Sequence, residues 1–163
     1  RTQMDETIRE VDKNSVGTMD MDIILDAFMN KLRQITGKSV DKVISTPIAI
    51  VISKGDIKTL SPFIGEEVIS DYMIKHELSM DSYMDVQDKI IRQFLNDNGM
   101  AGFVNNIDLK FKNNRYFICS AIGHTREAGR YNPKGVLEPM EWIFQKADQA
   151  MKNVWNEHKF GNN

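Results

Sequence analysis

Cysteine is nearly missing from this chain of 163 residues. Cys119 is the only one, so an intrachain disulfide is impossible. One thiol and three scattered histidines, His76, His124 and His158, also lack the clustered Cys/His spacing of a zinc site. An excess of one charge is missing too. Lys and Arg total 21 against 23 Asp and Glu, a formal charge of −2, which leaves no electrostatic footprint for nucleic acid or an anionic membrane. No apolar run approaches the roughly 20 residues that a membrane span requires. A starting methionine is missing, so the chain reads as a piece of a longer protein, and no signal peptide is expected from the residues given. The single thiol suits a reducing compartment, so a cytoplasmic location is expected.

Hydrophobic periodicity supplies the elements that are present. Ile24, Leu25, Phe28, Leu32 and Ile35 fall at helical spacing within Met21 to Thr36, with Asp20 or Asp22 to cap the start and Gly37 just past the end. Five apolar residues in succession, Ile48-Ala49-Ile50-Val51-Ile52, follow Pro47 without alternation, the pattern of a strand buried on both faces. Ser61-Pro62 opens a short helix, and Phe63, Ile64, Val68, Ile69, Tyr72 and Met73 offer an apolar face beyond it. Val86, Ile90, Ile91, Phe94 and Leu95 mark a helix from Asp85 to Asn98, stopped by Gly99. The stretch Phe103 to Phe111 fits either a helix or an alternating strand. Tyr116 to Ala121 reads as a second buried strand, followed by a polar, glycine-containing loop to Gly135. A last helix runs from Pro139 to about Asn156, with Met140, Ile143, Phe144, Ala147, Met151 and Val154 as its stripe and Trp142 against the sheet.

The order of helix, strand, helices, strand, helix is that of an α/β fold, part of an open, mainly parallel Rossmann-like sheet flanked by helices. Two strands buried on both faces need neighbours, so the sheet is expected to be incomplete as given. A missing N-terminal half or another protein chain would complete it. Residues 1–19 read as a loop or the end of a preceding segment, 20–157 as the α/β domain portion, and 158–163 as a frayed tail.

Ligands of open α/β sheets bind at the carboxyl ends of the strands. The first strand ends in Ser53-Lys54-Gly55-Asp56 and the second in Ser120-Ala121-Ile122-Gly123. An apolar strand ending in (Asn/Thr)-Lys-x-Asp, with a later strand ending in Ser-Ala, resembles the guanine-recognition half of a P-loop GTPase. The order of "PIAIVISKGD", a long helical insertion, "RYFICSAIG" and "GVLEPMEWIF" over roughly residues 20–150 is similar to the bacterial double-GTPase-like group, whose members are placed in predicted conflict or signalling systems. That resemblance implies a C-terminal portion of a GTPase-like domain that binds GTP or GDP. Asp56 would accept from N1 and N2 of guanine, Lys54 would lay its stem over the base, and the backbone of Ser120 and Ala121 would donate to O6. Ser53 departs from the family's Asn or Thr, although its hydroxyl can bridge nearby loops. Ile122 stands where many members have lysine. The chain has no Gly-x-x-x-x-Gly-Lys-Ser/Thr, so the phosphate cradle, the magnesium and any hydrolysis belong to a P-loop half that is absent from this sequence.

Plainer readings stand beside these. Asp56 has a second reading as a helix cap, and Ser120 and Ala121 as small residues at a crowded strand end. Cys119 is a small hydrophobe within a strand. His124, Arg126 and Arg130 lie in a loop able to approach a ligand, or are simply solvated. Glu66 and Glu67 lack the apolar setting of a glycosidase pair. The departures at Ser53 and Ile122 motivate the alternative, a nucleotide-free interaction or scaffold module that keeps the GTPase-like fold.

Overall fold

The computed structural model describes residues 21–37, 43–123 and 131–147. It divides into two compact units, Arg1–Lys42 and Val43–Asn163. The segments 1–19 and 158–163, the Asp20 cap, Trp155, and the end of the expected last helix at Met151 and Val154 lie outside the described residues.

In the first unit, helix α1 spans Met21–Thr36. Gly37 ends it with φ +63°, and its N–H donates to the Arg33 carbonyl at 2.8 Å, a left-handed terminus that glycine adopts without a Cβ penalty. The buried side chains are Leu25 and Met29, with Leu32 half-buried, while Ile24, Phe28 and Ile35 are exposed. The expected stripe is thus corrected: burial follows the edge carrying positions 25, 29 and 32 rather than its whole width.

The second unit is built on two parallel strands, β1 (Ile48–Ile52) and β2 (Asn114–Ile118), paired in register from Ile48 with Asn114 to Ile52 with Ile118. Between them come helices α2 (Ser61–Ile64), α3 (Glu66–Lys75), a short 3₁₀ turn (Met80–Ser82), α4 (Tyr83–Asp97) and α5 (Ala101–Lys110). Helix α6 (Glu138–Ala147) follows β2. The α/β class is as the element order predicts. The ambiguous stretch is a helix: Phe103, Val104 and Ile107 are buried at helical spacing, whereas Leu109, which an alternating strand would bury together with Ile107 and Phe111, is 73% exposed.

Alternation along β2 puts one aromatic on each side of the sheet. Tyr116 lies under α4, with the Arg92 guanidinium 4.5 Å from its ring centre. Phe117 meets Trp142 of α6 edge to face at 6.0 Å, so Trp142 packs on the sheet as expected. Helix α6 turns Pro139, Glu141 and Trp142 inward and leaves Met140 51% exposed, which corrects the expected stripe. Trp142 carries more apolar surface than Met140 and sets the helix rotation.

The two outer edges of the sheet differ. The inward bonds of β1 belong to Ile48, Ile50 and Ile52, which leaves the backbone of Ala49 and Val51 pointing outward, without a partner among the described residues. The whole of β1 is only partly covered, and Val51 is 42% exposed. The expectation of a strand buried on both faces is therefore corrected, because only one strand flanks it among the described residues. On the far side of β2 the Tyr116 N–H donates to Asp88 Oδ1 at 2.7 Å, a helix carboxylate standing where a further strand would pair. Asp88 is held in turn by Arg92 Nε at 2.7 Å, and the same guanidinium binds Asp108 at 2.8 and 3.0 Å and Asn114 Oδ1. The Tyr116 hydroxyl is buried without a hydrogen-bond partner, and that burial pushes its pKa up. Removing an unsatisfied buried hydroxyl removes its desolvation cost. Tyr116→Phe is expected to raise unfolding free energy by about 1 kcal/mol in urea titration. A loss of similar size would mean the hydroxyl is bonded.

Candidate functional site

The strand ends lie side by side because the parallel ladder continues past β2. Cys119 N–H donates to the Ile52 carbonyl and Gly55 N–H to the Cys119 carbonyl, each at 2.9 Å. This places Ser53-Lys54-Gly55-Asp56 against Ser120-Ala121-Ile122-Gly123. A Cβ on Gly55 would run into the Ile118 side chain, so a glycine lets the two loops close on each other.

Lys54 stands at φ +60°, in the left-handed region that a side chain with a Cβ seldom adopts. Its carbonyl accepts from Ile57 N–H at 3.1 Å, closing a turn with Asp56 near its tip. Asp56 does not cap the following helix: Leu60 stands at the N-cap of α2, with no side-chain bond there. Its carboxylate reaches across 64 residues of sequence instead, and Ser120 Oγ donates to Asp56 Oδ1 at 2.5 Å. The same Ser120 oxygen accepts from Gly123 N–H at 2.8 Å. Ser120 is buried and Asp56 half-buried, so this link joins the two loops away from bulk water, where a charge-assisted bond is stronger.

A segment that the sequence pattern leaves as polar loop completes the second strand end. Residues 131–135 run antiparallel to it. Ser120 and Lys134 exchange backbone bonds of 2.8 and 2.9 Å, and Asn132 N–H donates to the Ile122 carbonyl at 2.8 Å. Two glycines permit this approach. Gly123, at φ +82°, would drive a Cβ onto the Asn132 carbonyl, and Gly135, at φ +64°, onto that of Ile118. Lys134 also forms an ion pair with Glu66 at the start of α3. The sequence signal for this segment was Gly135 standing sixteen residues after Cys119, too little to name a strand partner.

The consequence for the backbone is selective. Ser120 N–H and Gly123 N–H are consumed internally, whereas Ala121 and Ile122 N–H have no acceptor among the described residues. Both residues are exposed, Ile122 to 52%. Four of the six sequence-predicted site residues, Asp56, Ser120, Ala121 and Ile122, thus form one linked arrangement with Lys54 exposed beside it. Ser53 is exposed and makes no side-chain hydrogen bond among the described residues, so the bridging role expected of its hydroxyl is not present. His124, Arg126 and Arg130 lie outside the described residues.

Two titratable groups lie nearby. Burial first, and then Glu138, push the Cys119 thiol up, which keeps it protonated and poorly nucleophilic. Tyr83 is pushed up by burial and then by Glu66 and Glu138. Among the described residues no group of three or more His, Cys, Asp or Glu is arranged to hold a metal ion, and no helix is long and apolar enough to cross a membrane.

Comparison of the chain with protein-family models, curated proteins and solved structures gave no match.

Proposed function

We propose that these two loops are the base-reading part of a guanine-nucleotide-binding, GTPase-like domain. Hydrolysis of GTP and any magnesium site would require a P-loop-bearing half in a complete protein. The observation that carries the reading is the Ser120–Asp56 hydrogen bond. It fixes a carboxylate beside two backbone donors, Ala121 and Ile122 N–H, that have no acceptor among the described residues. Guanine presents two neighbouring donors, N1–H and N2–H₂, next to the O6 acceptor, which complements a carboxylate next to amides. Adenine has the opposite pattern at those positions. Lys54 supports the same reading, because a residue held at φ +60° on an exposed loop is retained against a cost of about 1–2 kcal/mol. A strand supplied by a P-loop-bearing half, or by another chain, would pair with the outward backbone of Ala49 and Val51.

The test is thermal unfolding of the full chain with GDP or ADP. GDP at a hundredfold excess over its Kd is expected to raise Tm by roughly 5–10 °C, with ADP inert. No shift with either nucleotide would overturn the proposal and leave the fold as an interaction module.

A further inference from the structure

The returning segment, residues 131–135, does more than cover the second strand end. In an antiparallel pair, opposite residues share a face, and so do residues two apart on one strand. Ser120 stands opposite Lys134, and two residues further along Asn132 N–H donates to the Ile122 carbonyl. Asn132 and Lys134 are therefore on the face of Ser120 and Ile122. The side chains agree with this alternation. Ser120 Oγ reaches Asp56 and Lys134 Nζ reaches Glu66, both in the stretch of chain that follows β1. Lys134 is thus held by a carboxylate of the fold. Asn132 is exposed, and its backbone is tied at 2.8 Å to the strand end that carries the Ala121 and Ile122 amides. The contact is close: the Asn132 carbonyl occupies the place that a Cβ on Gly123 would take.

The groups along this end of the sheet follow one order. The Asp56 carboxylate comes first, then the Ala121 and Ile122 amides, then the Asn132 carboxamide. The edge of guanine has an order as well. N2–H₂ and N1–H are donors, O6 is an acceptor, and N7 beside it is a second acceptor. The carboxylate and the amides match the first three. A carboxamide NH₂ matches the fourth. We infer that Asn132 is a further base-contacting residue, its Nδ2 donating to N7 of the bound purine. The inference rests on the guanine reading of the preceding section and extends it from two loops to three segments. Adenine also carries N7. Asn132 therefore adds affinity for the purine ring, and Asp56 keeps the choice between guanine and adenine.

The deciding experiment is a two-by-two calorimetric titration. The full chain and its Asn132→Ala variant are each titrated with guanosine and with 7-deazaguanosine, in which a C–H replaces N7. The parent is expected to bind 7-deazaguanosine about threefold to tenfold more weakly than guanosine, the effect of one neutral hydrogen bond. Asn132→Ala should weaken guanosine by the same factor and leave 7-deazaguanosine unchanged, because the contact it deletes is already missing there. A side chain that only steadied the segment would weaken both ligands alike. That result, unchanged guanosine binding in the variant, or a parent that binds the two nucleosides equally would overturn the inference and leave the guanine reading intact. Absence of binding of either nucleoside to the parent would overturn both.

Discussion

Asp56→Asn is expected to exchange guanine for xanthine as the preferred base. Asparagine is the same size as aspartate, and Ser120 Oγ can still donate to its Oδ1, so the link between the loops survives. What changes is the second position. An acceptor becomes an NH₂ donor facing the N2–H₂ group of guanine, two donors in opposition. Xanthine carries a carbonyl oxygen at that carbon and accepts the new donor. The cost to guanosine is the loss of a charge-assisted bond, about 1.5–3 kcal/mol, or roughly tenfold to a hundredfold in Kd. Xanthosine should gain by a similar factor. Asp56→Ala removes both acceptors and should abolish binding of either nucleoside while leaving the Ser120 hydroxyl bonded to Gly123 N–H alone. If Asp56→Asn binds guanosine as the parent does, the carboxylate does not read the base, and its bond to Ser120 is purely a loop tie.

Two glycines with nearly equal backbone angles should respond very differently to alanine. Gly99 at φ +84° ends α4, and no heavy atom lies within 4 Å of the position its Cβ would take. Gly123 at φ +82° would aim its Cβ at the Asn132 carbonyl. Gly99→Ala carries only the left-handed penalty, about 1 kcal/mol. Gly123→Ala carries the same penalty plus a backbone collision that no side-chain rotation relieves, so the returning segment must move. A loss of about 3 kcal/mol is expected. It should be concentrated in the bonds among Ser120, Ile122, Asn132 and Lys134. Hydrogen exchange reads this directly: the amides of Ser120, Asn132 and Lys134 should exchange faster by about a hundredfold, with the Phe117 amide between β1 and β2 little changed. Equal, small effects at both glycines would mean that residues 131–135 do not rest against the second strand end in solution.

The parts of the fold written in the sequence are those fixed by local chemistry. Helix α1 begins and ends where its periodicity and Gly37 place it. The run Ile48 to Ile52 is a strand and Gly99 a stop for the same kind of reason. The misreadings concern what another element contributes. Strand β2 begins at Asn114, two residues before the apolar run, because Arg92 holds Asn114 and Asp85 binds Arg115 at 2.5 Å. Those two polar residues look like loop until the helix beside them is known. The rotation of α6 depends on Trp142 reaching Phe117, which no stripe within one helix reveals. At the site, the sequence singles out both strand ends. It gives no means of seeing that a serine hydroxyl and a carboxylate 64 residues apart would meet, or that residues 131–135 would use up one of the loop amides.

The Asp88 carboxylate on the Tyr116 amide gives the sheet a direction of growth. A strand offered to that flank meets a side chain already in its place, whereas one offered to Ala49 and Val51 meets donors and acceptors that have no partner among the described residues. Any recruitment of a further strand is therefore one-sided. Two copies joined through their β1 edges would present only Asp88-stoppered flanks to the solvent. Such an assembly terminates at a pair, and the unequal edges protect the chain from stacking into an open-ended fibre.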